Sequence, residues 1–130
     1  MHNPSRALPF LLLTAACAGT SSSLDMSPRT FALSREQADQ VIRETLAEGW
    51  PENQQHPLGG ARIGYSIQIW WLLDHDDVSA EALEQADGTF VFGVRNHGTA
   101  PVAGNPARRQ LLERLVAKAT ALAGAQTAGR

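Results

Sequence analysis

The chain has 130 residues, of which 43% are hydrophobic and 18% charged, and this composition favours one folded domain, since a domain takes about 100–200 residues. A formal net charge of −2 argues against a nucleic-acid binder, because such proteins need a basic surface to displace counterions from phosphate. A single cysteine excludes an internal disulfide.

Residues 1–16 have the organisation of a secretory signal peptide. Residues 1–6 are polar and carry one fixed positive charge, and residues 7–13 form an apolar run. That run is far shorter than the ~20 residues that cross a bilayer as a helix. Small residues at 14–16 then lead directly to Cys17.

This amino-terminal stretch resembles the signal of bacterial lipoproteins. Ala15, Ala16 and Cys17 match the two small residues and the cysteine, and Thr14 stands where Leu is usual. The resemblance implies cleavage before Cys17 and acylation of its thiol, since a thiolate is the nucleophile that accepts the lipid. Ala18 after the cysteine implies, in this class, an outer-membrane anchor facing the periplasm. An ordinary secreted protein with an incidental cysteine is the alternative.

The rest of the chain divides into a tether, a domain and a tail. Residues 18–23 are small and polar without periodicity, as in flexible linkers. We therefore expect a lipidated tether over residues 17–30, a single domain over residues 31–124, and a frayed tail over residues 125–130.

The first predicted element of the domain is an amphipathic helix. Ser34 and Gln37 make a capping box, and apolar residues follow at helical spacing until Gly49. Residues 51–60 contain two prolines and two glycines and predict a loop.

Two strands are predicted next. Residues 62–73 alternate with a period of two, and residues 89–95 do the same after a turn at Asp87-Gly88. Residues 77–86 are ambiguous, because their composition favours a helix capped by Ser79, whereas the spacing fits a middle strand between turns at Asp76-Asp77 and Asp87-Gly88. The spacing favours the strand slightly.

A second helix is predicted over residues 106–124, where an apolar stripe follows Asn105-Pro106 and ends at Gly124. Both helices have one apolar face. The order predicts an α+β two-layer sandwich in which both helices pack on a two- or three-stranded antiparallel sheet.

The candidate binding residues begin with Trp70 and Leu72, which alternation places on the second face of the sheet, away from Ile67 and Ile69. An open sheet face rarely carries large apolar side chains, and Trp is a frequent anchor in protein interfaces. Three interpretations stay open: a loop or the amino-terminal segment covers this face, Trp70 covers Gly93, or the face binds a partner.

Arg108 and Arg109 are a second candidate, because cations are disfavoured by the macrodipole in the first turn of a helix. Something is expected to compensate for them. They pair within the molecule with the acidic stretch at residues 74–87, or are simply solvated, or dock an acidic partner or anionic headgroup.

Asp74, His75, Asp76 and Asp77 form the densest cluster of potential metal ligands, and His56 and His97 are expected in loops that could approach it. No motif with known ligand spacing is present. A solvated acidic turn is the simpler interpretation, and no cofactor is expected.

No nucleophile elbow or phosphate-binding loop occurs, so an enzyme is disfavoured, and a hydrolase would need Ser, His and a carboxylate to converge. We expect a membrane-anchored, non-enzymatic envelope lipoprotein that binds another envelope component. A small-ligand or metal-binding lipoprotein is the alternative.

Overall fold

The computed structural model describes residues 24–71, 74–97 and 106–128. These residues form two helices and one five-stranded antiparallel sheet, so the α+β class is confirmed. The elements in chain order are β1 (Leu24–Met26), α1 (Arg35–Gly49), β2 (His56–Pro57), β3 (Ile63–Trp71), β4 (Asp74–Glu84), β5 (Phe90–His97) and α2 (Pro106–Ala128). Across the sheet the order is β1-β5-β4-β3-β2.

Helix α1 begins and ends where the sequence predicts. The Ser34 hydroxyl accepts a hydrogen bond from the backbone N–H of Gln37, and the Gln37 side chain accepts one from the backbone N–H of Ser34. The buried face carries the residues that the periodicity predicts, including Ile42 and Leu46. Each fully buried side chain of this size contributes about 1.5–3 kcal/mol, so this face holds α1 on the sheet.

Strands β3, β4 and β5 form an antiparallel meander. The expected middle strand is confirmed as β4, but the predicted turn at Asp76-Asp77 is wrong, because β4 already begins at Asp74, which pairs with Trp71. Pairing with β3 outweighs the low strand propensity of aspartate. The turn at Asp87-Gly88 is confirmed: Gly88 has φ 86°, and the Asp87 carboxylate accepts hydrogen bonds from Thr89.

Two short edge strands make the sheet larger than the predicted two or three strands. β1 lies in the segment predicted as a tether and pairs with β5, and β2 lies in the segment predicted as a loop and pairs with β3. Strands of three and two residues are too short to show a period of two. Residues 24–26 of the predicted tether therefore belong to the sheet.

Helix α2 continues beyond its predicted end at Gly124, and reaches Ala128. A glycine inside a helix costs only about 1 kcal/mol relative to alanine, and the alanines around Gly124 favour helix. Its buried stripe contains Leu111, Leu115 and Ala119, as the apolar pattern predicts.

Both helices pack on the same face of the sheet, α1 on β3 and β4, and α2 on β5 and β4, and they contact each other. The core lies between this helical layer and the apolar row of the meander, which includes Ile67, Val78 and Phe92. The two-layer arrangement is thus present, and it leaves the opposite face of the sheet without a helix among the described elements.

Candidate binding surface on the outer face of the sheet

We call the face opposite the helices the outer face. Residues directly opposite each other in antiparallel strands point to the same side, and the register therefore assigns its members. The central members are Ser66, Gln68 and Trp70 of β3; His75, Asp77, Ser79 and Glu81 of β4; and Gly93, Arg95 and His97 of β5.

Among the described large apolar side chains of the meander, Trp70 is the most exposed, and it lies on the outer face. It is 61% exposed, and its ring lies on the imidazole of His75, its direct partner on β4, with 4.8 Å between the ring centroids. An exposed Trp held in place by an aromatic neighbour presents a rigid apolar surface. The second residue predicted on this face, Leu72, lies outside the described residues.

Trp70 does not cover Gly93, because β3 and β5 are separated by β4. Leu24 of β1 covers this glycine instead: a Cβ atom at Gly93 would lie 2.7 Å from Leu24 Cδ1. Part of the amino-terminal segment therefore covers the β5 edge of the outer face, whereas Trp70 at the β3 side stays open.

Polar side chains surround Trp70. Gln68 donates a hydrogen bond to the Asp77 carboxylate across the strands (3.3 Å), and His75 Nε2 lies 3.9 Å from the same carboxylate oxygen. Gln68 is exposed and Asp77 is 46% exposed in its side chain. An apolar anchor within a polar rim is the usual anatomy of a small interface.

The structure brings together Ser79 and His97, which sequence reasoning missed. Their side chains are hydrogen-bonded, with 3.0 Å between Ser79 Oγ and His97 Nε2, and Asp77 is the direct strand partner of His97. Eighteen residues separate Ser79 from His97 in the chain, so only the strand register reveals the pair.

This grouping does not form a hydrolytic site. Ser79 is 2% exposed and lies in the middle of a central strand, where N–H groups belong to the sheet ladder. A nucleophile needs access to substrate and free donors for an oxyanion. The Ser79–His97 hydrogen bond instead satisfies two polar groups on the outer face.

A buried carboxylate lies at the other end of the outer face. The Arg62 guanidinium donates two hydrogen bonds to Glu81, at 3.0 and 3.3 Å, and the Glu81 side chain is only 7% exposed. This hydrogen-bonded ion pair raises the pKa of Arg62. The charges of Arg62 and Glu81 therefore neutralise each other at a fixed place on this face.

The predicted metal cluster is divided between the two faces of the sheet. His75 and Asp77 belong to the outer face, whereas Asp76 is buried on the helical side and accepts a hydrogen bond from Asn96 (3.0 Å). The side chain of Asp74 is outside what the structure describes. Among the described residues, no group of three or more His, Cys, Asp or Glu side chains is placed to hold a metal ion.

His56 and His97, the two histidines considered with that cluster, occupy different strands. His56 lies on the edge strand β2, opposite Ser66, while His97 ends β5. His97 is hydrogen-bonded to Ser79. Both histidines therefore lie in strands rather than in the expected loops, and β3 and β4 separate them.

Arg108 forms an ion pair inside the molecule, although not with the acidic stretch that the sequence analysis considers. Its Nε atom lies 3.0 Å from Asp25 of β1. Arg109 is exposed. Because α2 and the edge strand are joined in this way, Arg108 acts first as a structural contact.

Further along α2, Lys118 lies between two carboxylates of α1. Its Nζ atom is 2.8 Å from Glu48 and 3.5 Å from Glu44. The hydrogen bond to Glu48 is the main cause of the raised pKa of Lys118. The pKa of Glu44 is lowered, mainly by the hydrogen bond that Gln40 donates and also by the positive charge of Lys118. Two of the basic side chains of α2, Arg108 and Lys118, therefore face acidic partners within the fold.

Neither α1 nor α2 is long and apolar enough to cross a membrane, and no other helix occurs in the described ranges. No protein-family model, curated protein or solved structure matches this chain.

Proposed function

We propose that the protein is a membrane-anchored, non-enzymatic envelope lipoprotein whose domain binds another envelope component through the outer face. Acylated Cys17 supplies the anchor, and Trp70 supplies the central apolar contact. The observation that carries the proposal is the exposed Trp70 ring, held against His75 on a sheet face that neither of the described helices covers.

The surroundings of Trp70 support an interface better than a small-ligand site. The outer face is built from paired strands, and its polar groups are joined across those strands by hydrogen bonds such as Gln68–Asp77 and Ser79–His97. A preordered surface loses little side-chain entropy when a partner binds. Arg108 is already paired with Asp25, so the binding surface is assigned to the outer face rather than to α2.

Site-specific photo-crosslinking in intact cells tests the surface. A photo-reactive residue at Gln68, which is exposed beside Trp70, is expected to crosslink an envelope component. The matched control is Gln110, also an exposed glutamine, but on α2. Equal crosslinking from both positions, or none from Gln68, would contradict the proposal.

Two variants separate the anchor from the surface. Cys17→Ser is expected to release the protein from the membrane fraction, and continued sedimentation with membranes would refute the anchor. Trp70→Ala is expected to abolish crosslinking from Gln68 while the urea midpoint stays nearly unchanged, because an exposed side chain contributes little to folding. Retained crosslinking would show that Trp70 is not the apolar contact.

A further inference from the structure

One end of the sheet extends well beyond its edge strand. Leu24 pairs with Arg95, Arg95 with Ser79, and Ser79 with Ser66, so these residues lie at one level across the sheet. Trp70 lies four residues further along β3, which is about 13 Å at 3.3 Å per residue. We call this end, marked by Trp70, His75 and the last paired residues of β3 and β4, the hairpin end.

The amino end of β1 is the end of that strand nearer the hairpin end. β5 runs toward that end, since His97 pairs with Asp77, and β1 runs antiparallel to β5. Within β1, Leu24 is therefore nearer the hairpin end than Met26 is.

The length of chain between the anchor and the domain limits their separation. Cys17 precedes Leu24 by seven residues, which span at most about 25 Å when fully extended. Trp70 already projects about half of that distance past Leu24. A segment that continues in the direction of β1 would therefore bring the lipid surface that carries Cys17 to within about one nanometre of the hairpin end.

We propose that Trp70 contacts the lipid surface of the membrane that carries acylated Cys17. This inference rests on the proposed function and names the envelope component that meets the hairpin end of the outer face. Indole rings favour the membrane–water interface because one part is apolar and the N–H is polar. The polar neighbours Gln68 and His75 suit the same headgroup depth.

The tether also explains how a contact this small is sufficient. A single indole binds a bilayer too weakly to hold a free domain, but a short tether turns the contact into an intramolecular event at high effective concentration. The acyl chains keep the protein on the membrane, and Trp70 sets the orientation of the sheet. The rest of the outer face then stands beside the membrane rather than against it.

Tryptophan fluorescence of the full-length acylated protein tests this contact. The protein is reconstituted into phosphatidylethanolamine–phosphatidylglycerol vesicles, with or without brominated acyl chains, which quench indoles at the interface. Wild type is expected to show quenching, and Trp70→Phe to lose most of it. The matched control, Trp50→Phe, is expected to retain it, because Trp50 is half-buried near Arg114 on the helical side.

A second variant tests the role of tether length. A flexible Gly-Ser insertion after Gly19, longer than the natural segment, is expected to lower the quenching, since effective concentration falls as a linker lengthens. Unchanged quenching in this variant would overturn the tether argument. Equal quenching in wild type and Trp70→Phe would overturn the contact itself.

Failure of this inference differs from failure of the proposed function. If mass spectrometry finds no acyl group on Cys17, the anchor fails and the inference falls with it. If the acylated protein binds vesicles but Trp70 is not quenched, only the lipid contact is overturned. Crosslinking of Gln68 to an envelope protein under those conditions would identify a protein as the occupant.

Discussion

Removing Arg62 should destabilise the fold much more than removing a similar arginine nearby. Arg62 makes two hydrogen bonds to Glu81, whose side chain is 7% exposed, whereas Arg62 itself is 48% exposed. The substitution Arg62→Met keeps most of the apolar stem but removes the guanidinium. It leaves the Glu81 carboxylate buried without its cation.

The expected loss lies between two limits. Breaking a fully buried ion pair costs about 3–5 kcal/mol, and breaking an exposed one about 0.2–1 kcal/mol. Because one partner here is buried and water reaches the other, we expect a loss of about 2 kcal/mol. For a domain of this size that lowers the melting temperature by about 8–16 °C.

Urea unfolding followed by circular dichroism at neutral pH measures this loss. Arg35→Met is the matched control, because Arg35 pairs with Glu84 at a similar distance, 2.9 Å, but both side chains are about half exposed. It should cost less than about 0.5 kcal/mol. Adding Glu81→Gln to Arg62→Met should recover about 1 kcal/mol, since a neutral amide is cheaper to bury than a carboxylate.

Equal losses for Arg62→Met and Arg35→Met would refute this reasoning, because burial of Glu81 would then have no energetic consequence. A double variant that is no more stable than Arg62→Met would refute it independently. An m value that changes along with the midpoint would instead point to an altered unfolded or native state.

Four further substitutions test other contacts by the same urea assay. Tyr65→Phe removes a 2.7 Å hydrogen bond to Asp39 and should cost about 1–2 kcal/mol. That hydrogen bond raises the pKa of Tyr65 in the folded protein. Its contribution to stability is therefore full below about pH 10 and is lost as the pH rises through the pKa of Tyr65 in the folded state. Ser34→Ala removes the capping box and should cost about 1 kcal/mol. Gly64→Ala should cost about 1–3 kcal/mol, because the new Cβ would lie 2.5 Å from a carbonyl oxygen of the neighbouring strand. At Gly93 the nearest atoms to a new Cβ belong to the Leu24 side chain, which can move, so Gly93→Ala should change stability by less than about 1 kcal/mol.

Each of these expectations has a contrary result. Tyr65→Phe that retains the wild-type loss of stability at high pH would show that another group titrates there. Ser34→Ala without effect would mean that packing alone fixes the start of α1. A Gly93→Ala variant less stable than Gly64→Ala would show that β1 is held more rigidly than its exposed position implies.

The parts of the fold that repeat a pattern over many residues could be predicted from the sequence. Helix α1 combines a capping box at Ser34 with apolar spacing through Leu46, and two independent signals agree. β4 was ambiguous because Ala80 and Ala82 favour helix as residue types, yet both fit closely between neighbouring strands. Their strand conformation is a result of tertiary pairing, which outweighs local propensity.

The parts of the candidate site that depend on strand register could not be predicted. Alternation alone was enough to assign Trp70 to the outer face, and the structure places it there. The contacts Ser79–His97 and Arg62–Glu81 each join positions about twenty residues apart, at 18 and 19 residues. A one-residue shift in register would abolish both, and no feature of a single sequence reports that register.

The edge of the sheet beside Trp70 has a consequence for contacts between copies of the chain. β2 pairs only with Tyr65 and Ser66, and Pro57 offers no N–H, so it cannot act as a template for another strand. Beyond it, the Asn53 side chain donates a hydrogen bond to the carbonyl oxygen of Gln68. One amide thus takes the place of a neighbouring strand, and it hinders the β3 edge from pairing with a strand of a second copy.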